Sequence, residues 1–252
     1  MSNSSRLKLE RAKHHLESLK DYLRDFNSRN PNVLRQEYEE KSNTSYFVVR
    51  ICDDLRDSLA LLIGDIIHNA RASLDHLACQ LLIDEGLEPS KQTYYPFVSK
   101  TSGLAKRLKD TGLDEISNER KSYFSSHPPS QEDNKLLYAL HSLDNIDKHN
   151  TITPVASFVQ IQSLSFDQRL DIPSFGLMRQ SLHHGKRFFG NIPGKLSSSD
   201  FSCKSFPIFT ISDDDLGFIW SDTLPGVEDD IVTQVEAILS EADSILTHFY
   251  PS

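Results

Sequence analysis

Apolar positions recur every three to four residues in four stretches of this chain, the spacing of amphipathic helices. Leu7, Leu9, Ala12, Leu16, Leu19, Leu23 and Phe26 mark the first, which starts at a Ser4 or Ser5 cap and stops near Asn30-Pro31. The second is placed over about 54 to 84, from an Asp53 or Asp54 cap to Gly86, with Pro89 just beyond. A third runs from Gln131 to His149, its start marked by Pro128-Pro129-Ser130. The last carries Ile231, Val235, Ile238, Leu239, Ala242, Ile245, Leu246 and Phe249 on one stripe. Between the first two, RQEYEEKSNTSYFVVRIC reads as a hairpin turning at Ser42-Asn43-Thr44. YYPF and the polar stretch after it form an irregular link with short helices. TITPVASFVQIQSLSF, KRFFGN and FPIFTI are β-prone patches within 151–225, separated by Pro, Gly, Ser and Asp. The pattern predicts an α+β fold. A mainly helical region, 1–150, carries the hairpin, and a β-rich segment follows over 151–252, ending in a helix that packs back on the helical part because its apolar stripe needs a partner.

The second helix contains GDIIHNARASLDH, Gly64 to His76. At about 100° per residue, Ile63, Ile66, Ile67, Ala70, Leu74, Leu77 and Leu81 gather on a core side. Gly64, His68, Arg71 and Asp75 form a second stripe, and Asp65, Asn69 and His76 a third beside it. A solvated face normally uses Lys and Glu, which are good helix formers and are easily exposed. From Ser58 to Ile83 there is neither. Asp, Asn and His are weak helix formers, costing a few tenths of a kcal/mol per position. Their presence points either to a binding or catalytic site or to a buried network, such as Arg71 with Asp75 and His68 with a neighbouring carbonyl. A second polar cluster, HSLDNIDKHN from His141 to Asn150, closes the third helix. Lys148 and His149 suit the negative end of the helix dipole. Asp147 opposes it and asks for a partner elsewhere, Arg71 or a histidine of the first cluster. Asp144 lies one turn before. Two His- and Asp-rich clusters on two helices predict convergence on one site.

Composition narrows the chemistry. The chain has 252 residues and a net charge of −9. That disfavours a broad electrostatic grip on nucleic acid but leaves room for a local cationic cleft holding one phosphate. Cys52, Cys79 and Cys203 are far apart and form no CxxC, which argues against a disulfide framework or a thiolate zinc site. The N-terminal stretch is polar, and the apolar run from Leu59 to Ile83 is broken by Asp65, His68, Arg71, Asp75 and His76. The expectation is a cytoplasmic protein with no membrane span. P-loop, GxGxxG, GxSxG and HExxH motifs are absent.

The pattern GDxxHNxRxxLDH followed by DKH resembles a widespread uncharacterised bacterial family with the same two motifs. It is carried here by Gly64, Asp65, His68, Asn69, Arg71, Leu74, Asp75, His76, Asp147, Lys148 and His149. The resemblance spans about residues 1 to 150 and implies no activity. Arg71 and His76, with ASLD between them, also resemble the signature of the HEPN superfamily, an Arg, four to six residues and a His on one helix. Those small helical domains serve toxin–antitoxin, defence and RNA-processing systems, and many are metal-independent endoribonucleases whose site is completed across a dimer. The resemblance implies a HEPN-like helical bundle, an RNA partner, a homodimer, and no metal or cofactor. In that reading Arg71 holds the scissile phosphate and His76 transfers protons. Asp75 and Asn69 orient them, His68 and His149 complete the catalytic group, and Lys148, Asp147 and Asp144 contact substrate. The chain departs from the pattern at Ala72, where a polar residue often follows the Arg. Arg71 and His76 also lie roughly 140° apart on the wheel.

Two other classes remain open. His68, His76 and His149 with Asp75, Asp144 or Asp147 contain enough ligands for a metal, although the i,i+3 or i,i+4 histidine pairs of bundle metal sites are missing. Alternatively, the helical part is a non-catalytic dimerising scaffold, and HHGKRFFGN, His183 to Asn191, contacts RNA or a partner.

Overall fold

The computed structural model describes residues 4–29, 34–49, 53–149, 154–166, 179–181, 187–193, 195, 201–211 and 231–251. Among the described residues, α-helices and strands run in the order α1 (Ser4–Ser28), β1 (Leu34–Glu39), β2 (Thr44–Val49), α2 (Asp53–Asp84), α3 (Leu104–Thr111), α4 (Asn118–Ser126), α5 (Lys135–His149), β3 (Pro154–Phe166), β4 (Arg179–Ser181), β5 (Arg187–Pro193), β6 (Phe201–Ile211) and α6 (Ile231–Phe249). Short 3₁₀ turns at Thr101–Gly103 and Leu113–Glu115 precede and follow α3. The class is α+β. Among the described residues, no helix is long and apolar enough to cross a membrane.

The chain divides into two compact units, each assembled from separate stretches of sequence, with one boundary at 153/154. Unit 1 takes residues 1–19, 60–153 and 212–252; unit 2 takes 20–59 and 154–211. The hairpin therefore groups with the later strands, because β5 pairs antiparallel with β2 to make a sheet of order β1-β2-β5. A second sheet has the order β4-β3-β6, with register shifts in the long β3–β6 pairing between Ala156 and Phe158 and between Ile161 and Ser163. The hairpin turn holds Asn43 at φ 49, a left-handed conformation that Asn tolerates well. The patch HHGKRFFGN lies only partly within the described residues, its strand beginning at Arg187.

Unit 1 is built on the helices. Leu9, Ala12, Leu16 and Leu19 of α1, the core stripe of α2 from Ile63 to Leu81, Leu137, Leu140 and Leu143 of α5, and the whole apolar stripe of α6 from Ile231 to Leu246 are buried. Polar ties fix their mutual placement. Arg6 donates to Asp243 at 2.9 Å and to the Tyr250 carbonyl, while Lys13 reaches the other Asp243 oxygen at 3.2 Å. Arg120 of α4 bonds the Leu81 carbonyl and Asp84, and Tyr250 donates to the same carboxylate at 2.6 Å. α2 ends in a left-handed glycine cap: Gly86 has φ 76, its N–H donates to Ile83 O, and Leu87 N–H reaches back to Leu82 O.

The third predicted helix starts four residues later than Gln131. Ser130 accepts the Asp133 N–H at 3.1 Å and donates to its carboxylate, holding residues 131–133 in a turn. Asn134 then caps α5, accepting the Leu137 N–H at 3.0 Å and donating to Glu241 of α6 at 2.5 Å. Replacing Asn134 with Ala removes both bonds and is expected to lower stability by about 1–2 kcal/mol, read from the urea midpoint. Asn134→Asp keeps the cap but faces Glu241 with a like charge, and should fall between the two.

Candidate functional site

One stripe of α2 serves two partners. Its N-terminal half, Gly64 and His68, faces α5. Its C-terminal half, Arg71 and Asp75, faces the segment Tyr94–Phe97.

At the first junction, His68 Nδ1 lies 3.1 Å from Asp144 Oδ1. The Asp144 side chain is 2% exposed, while the histidine side chain is 55% exposed. A carboxylate only accepts, so Nδ1 carries the proton of this bond. Lys148, one turn along α5, pairs with the second Asp144 oxygen. A buried carboxylate without partners is costly, and here both oxygens are answered. Asp147 lies beside this pair, against the backbone of α2. A Cβ at Gly64 would meet Asp147 Oδ1 at 2.5 Å and Cγ and Oδ2 at 2.9 Å, so this helix position has to be glycine for the carboxylate to sit there. Burial pushes the Asp147 carboxyl above its usual range; Asp144 and Asp65 add to this, and His68 opposes it.

At the second junction, Arg71 is 6% exposed and pairs with Asp75, one turn on. Asp75 also accepts the Tyr95 N–H at 2.9 Å. The guanidinium carbon lies 4.4 Å from the centre of the Phe97 ring, and the His141 ring of α5 stacks on Phe97 at 4.8 Å and 8°. The His141 imidazole is pulled down to about 4, first by burial and then by Arg71 and Arg107, with Lys148 adding and Asp144 opposing. Tyr95 is fully buried, and burial drives its phenol well above the usual value.

The two motif clusters thus converge, through His68 and Asp144. Asp147 meets Gly64 rather than Arg71. Arg71 points into the Asp75, Tyr95 and Phe97 network, the buried arrangement that the sequence leaves open. Asn69 donates to the Asp65 carbonyl at 2.8 Å, one turn back on its own helix. Asp65 is exposed, His76 is half-buried further along α2, and His149 is exposed at the end of α5. Among the described residues, no group of three or more His, Cys, Asp or Glu is arranged to hold a metal ion. Sequence reasoning missed His141, Tyr95 and Phe97. YYPF reads as a link, yet three aromatics in four residues next to a helix were the available signal, as was His141 one turn before Asp144. No family model, curated protein or solved structure matches this chain.

Two outcomes follow. Arg71→Ala leaves Asp75 without its cation and uncovers Phe97, and should cost about 3 kcal/mol in urea denaturation. Arg71→Lys, lacking the flat guanidinium that lies on the ring, should recover less than half. Because the folded His141 pKa is depressed below 6.5, the unfolded chain takes up its proton first as pH falls. Stability should therefore drop between about pH 6.5 and 4, by roughly 3 kcal/mol at most. The measurement is the urea midpoint at pH 7 and pH 4.5 for the protein and for His141→Phe, which keeps the stack; the variant should lose less stability on acidification.

Proposed function

We propose that the chain is a HEPN-like, metal-independent endoribonuclease that works as a homodimer, with His68 rather than His76 as the proton-transferring group. The observation that carries this reading is an exposed imidazole whose Nδ1–H is held by a buried carboxylate, leaving Nε2 to act as a base. Asp144 fixes the tautomer and stabilises the imidazolium once the proton has moved. Lys148, held on the same carboxylate and half exposed, supplies a cation where charge develops on a phosphate. In the reaction, His68 Nε2 takes the 2′-hydroxyl proton and the oxygen attacks the adjacent phosphorus. The bond to the 5′ oxygen breaks, and that oxygen takes a proton from the imidazolium of the second copy. The products end in a 2′,3′-cyclic phosphate and a 5′-hydroxyl. Arg71 supports the site from beneath, through Phe97 and His141, instead of touching the phosphate.

The test is RNA cleavage by purified protein in the presence of a chelator. His68→Ala and Asp144→Asn should each lower the rate by about 10²–10⁴-fold. His68→Asn, whose amide can still donate to Asp144, should be as slow as His68→Ala while leaving the melting temperature nearly unchanged. His76→Ala separates this assignment from the motif-based one and should cut at close to the unaltered rate. RNA left intact by the unaltered protein, or equal activity in the His68 variant, rejects the reading.

A further inference from the structure

A surface depression of about 340 Å³ opens on the far side of the Tyr94–Phe97 segment, lined by Ser99, Lys100, Ser102, Lys106, Arg107 and Asp110 against Phe97. Three cations face one carboxylate there, on a chain whose net charge is −9. Arg107 is built into the wall. Its Nε donates to the Phe97 carbonyl at 3.2 Å, its NH1 to the Tyr94 hydroxyl at 3.0 Å, and its guanidinium lies 4.8 Å from the centre of the Tyr94 ring. Those bonds leave the NH2 group of the fork unused by either. Among the described residues, Lys100 and Lys106 take no carboxylate partner, and both are exposed.

The rim is held in place. Val98 bridges Ser130 and bonds the Pro129 carbonyl, and Gln131 N–H returns to the Val98 carbonyl. The Thr101 N–H donates to Glu132 at 3.1 Å, and its hydroxyl joins Ser130 and Asp133. Phe97 is the one aromatic side chain of the lining, and its ring is already in contact with Arg71 and His141. What the pocket offers is fixed positive charge and hydroxyl donors, a set matched to tetrahedral oxyanions.

We infer that this depression is a phosphate-binding site, holding a phosphate group through Lys100, Lys106 and Arg107 with Ser99 and Ser102 as hydroxyl donors. The phosphate belongs to a nucleic-acid strand or to a small phosphorylated molecule. The inference does not depend on RNA cleavage: it concerns binding alone, and His68→Ala should leave it intact. The test is calorimetric titration of the full chain with pyrophosphate at low salt, and with a 2′-O-methyl RNA 12-mer that cannot be cleaved. The unaltered protein should bind pyrophosphate at one saturable site. The Lys100→Ala/Lys106→Ala double variant should bind it at least tenfold more weakly, by the usual strength of charge-assisted bonds, with an unchanged melting temperature. Lys109→Ala, on the same helix but outside the lining, should bind as the unaltered protein does. If the double variant also weakens binding of the 12-mer, the phosphate is that of a strand; if only pyrophosphate is affected, it is that of a small molecule. No saturable pyrophosphate binding, equal binding by the double variant, or equal weakening by Lys109→Ala overturns the site.

Discussion

A guanidinium removed from water needs a counter-charge and a surface to lie on, and Arg71, whose Nε is left without a hydrogen-bond partner, organises its surroundings through these two. Asp75 supplies the charge, and in doing so also receives the Tyr95 N–H. Phe97 supplies the face, and His141 stacks on Phe97 in turn. The carbonyl of Phe97 then orients Arg107. One buried cation therefore ties α2, the Tyr94–Phe97 segment, α5 and α3 together. Apolar burial supplies the bulk of the driving force, since the stripes of α1, α2, α5 and α6 are almost wholly covered. Burial alone does not say how a loop of aromatics should lie on a helix; directional polar partners do.

The same helix carries the candidate chemistry one turn earlier. His68 differs from Arg71 in being exposed, and Asp144 differs from Asp75 in being fully covered. The Arg–Asp pair buries its cation and leaves its carboxylate partly wet, whereas the His–Asp pair buries its carboxylate and presents its ring. Only the second arrangement presents an imidazole at the surface.

The helices and the hairpin were legible because their signals are local: periodic apolar positions, a polar turn around Asn43, a glycine after α2. That His68 and Arg71 belong to a special stripe was legible from residue type, since Lys and Glu are missing there. What was not legible was which partner each member takes. Asp144 and Asp147 lie three residues apart, and the choice between them for His68 depends on the rotation of α5 against α2. The start of α5 was misjudged because Pro129-Ser130 resembles a helix start, while Ser130 and Asp133 close a separate turn and leave Asn134 as the cap. The grouping of the hairpin with the later strands was hidden because β2–β5 pairing joins residues far apart in sequence.

Gly64 has a consequence for how α2 and α5 meet. The space it leaves is filled by a carboxylate from the other helix. One turn away on either side along α2 stand Ala60 and His68, both of which carry side chains. A side chain at 64 has to displace the Asp147 carboxylate, so the place of that carboxylate depends on a residue that has no side chain of its own.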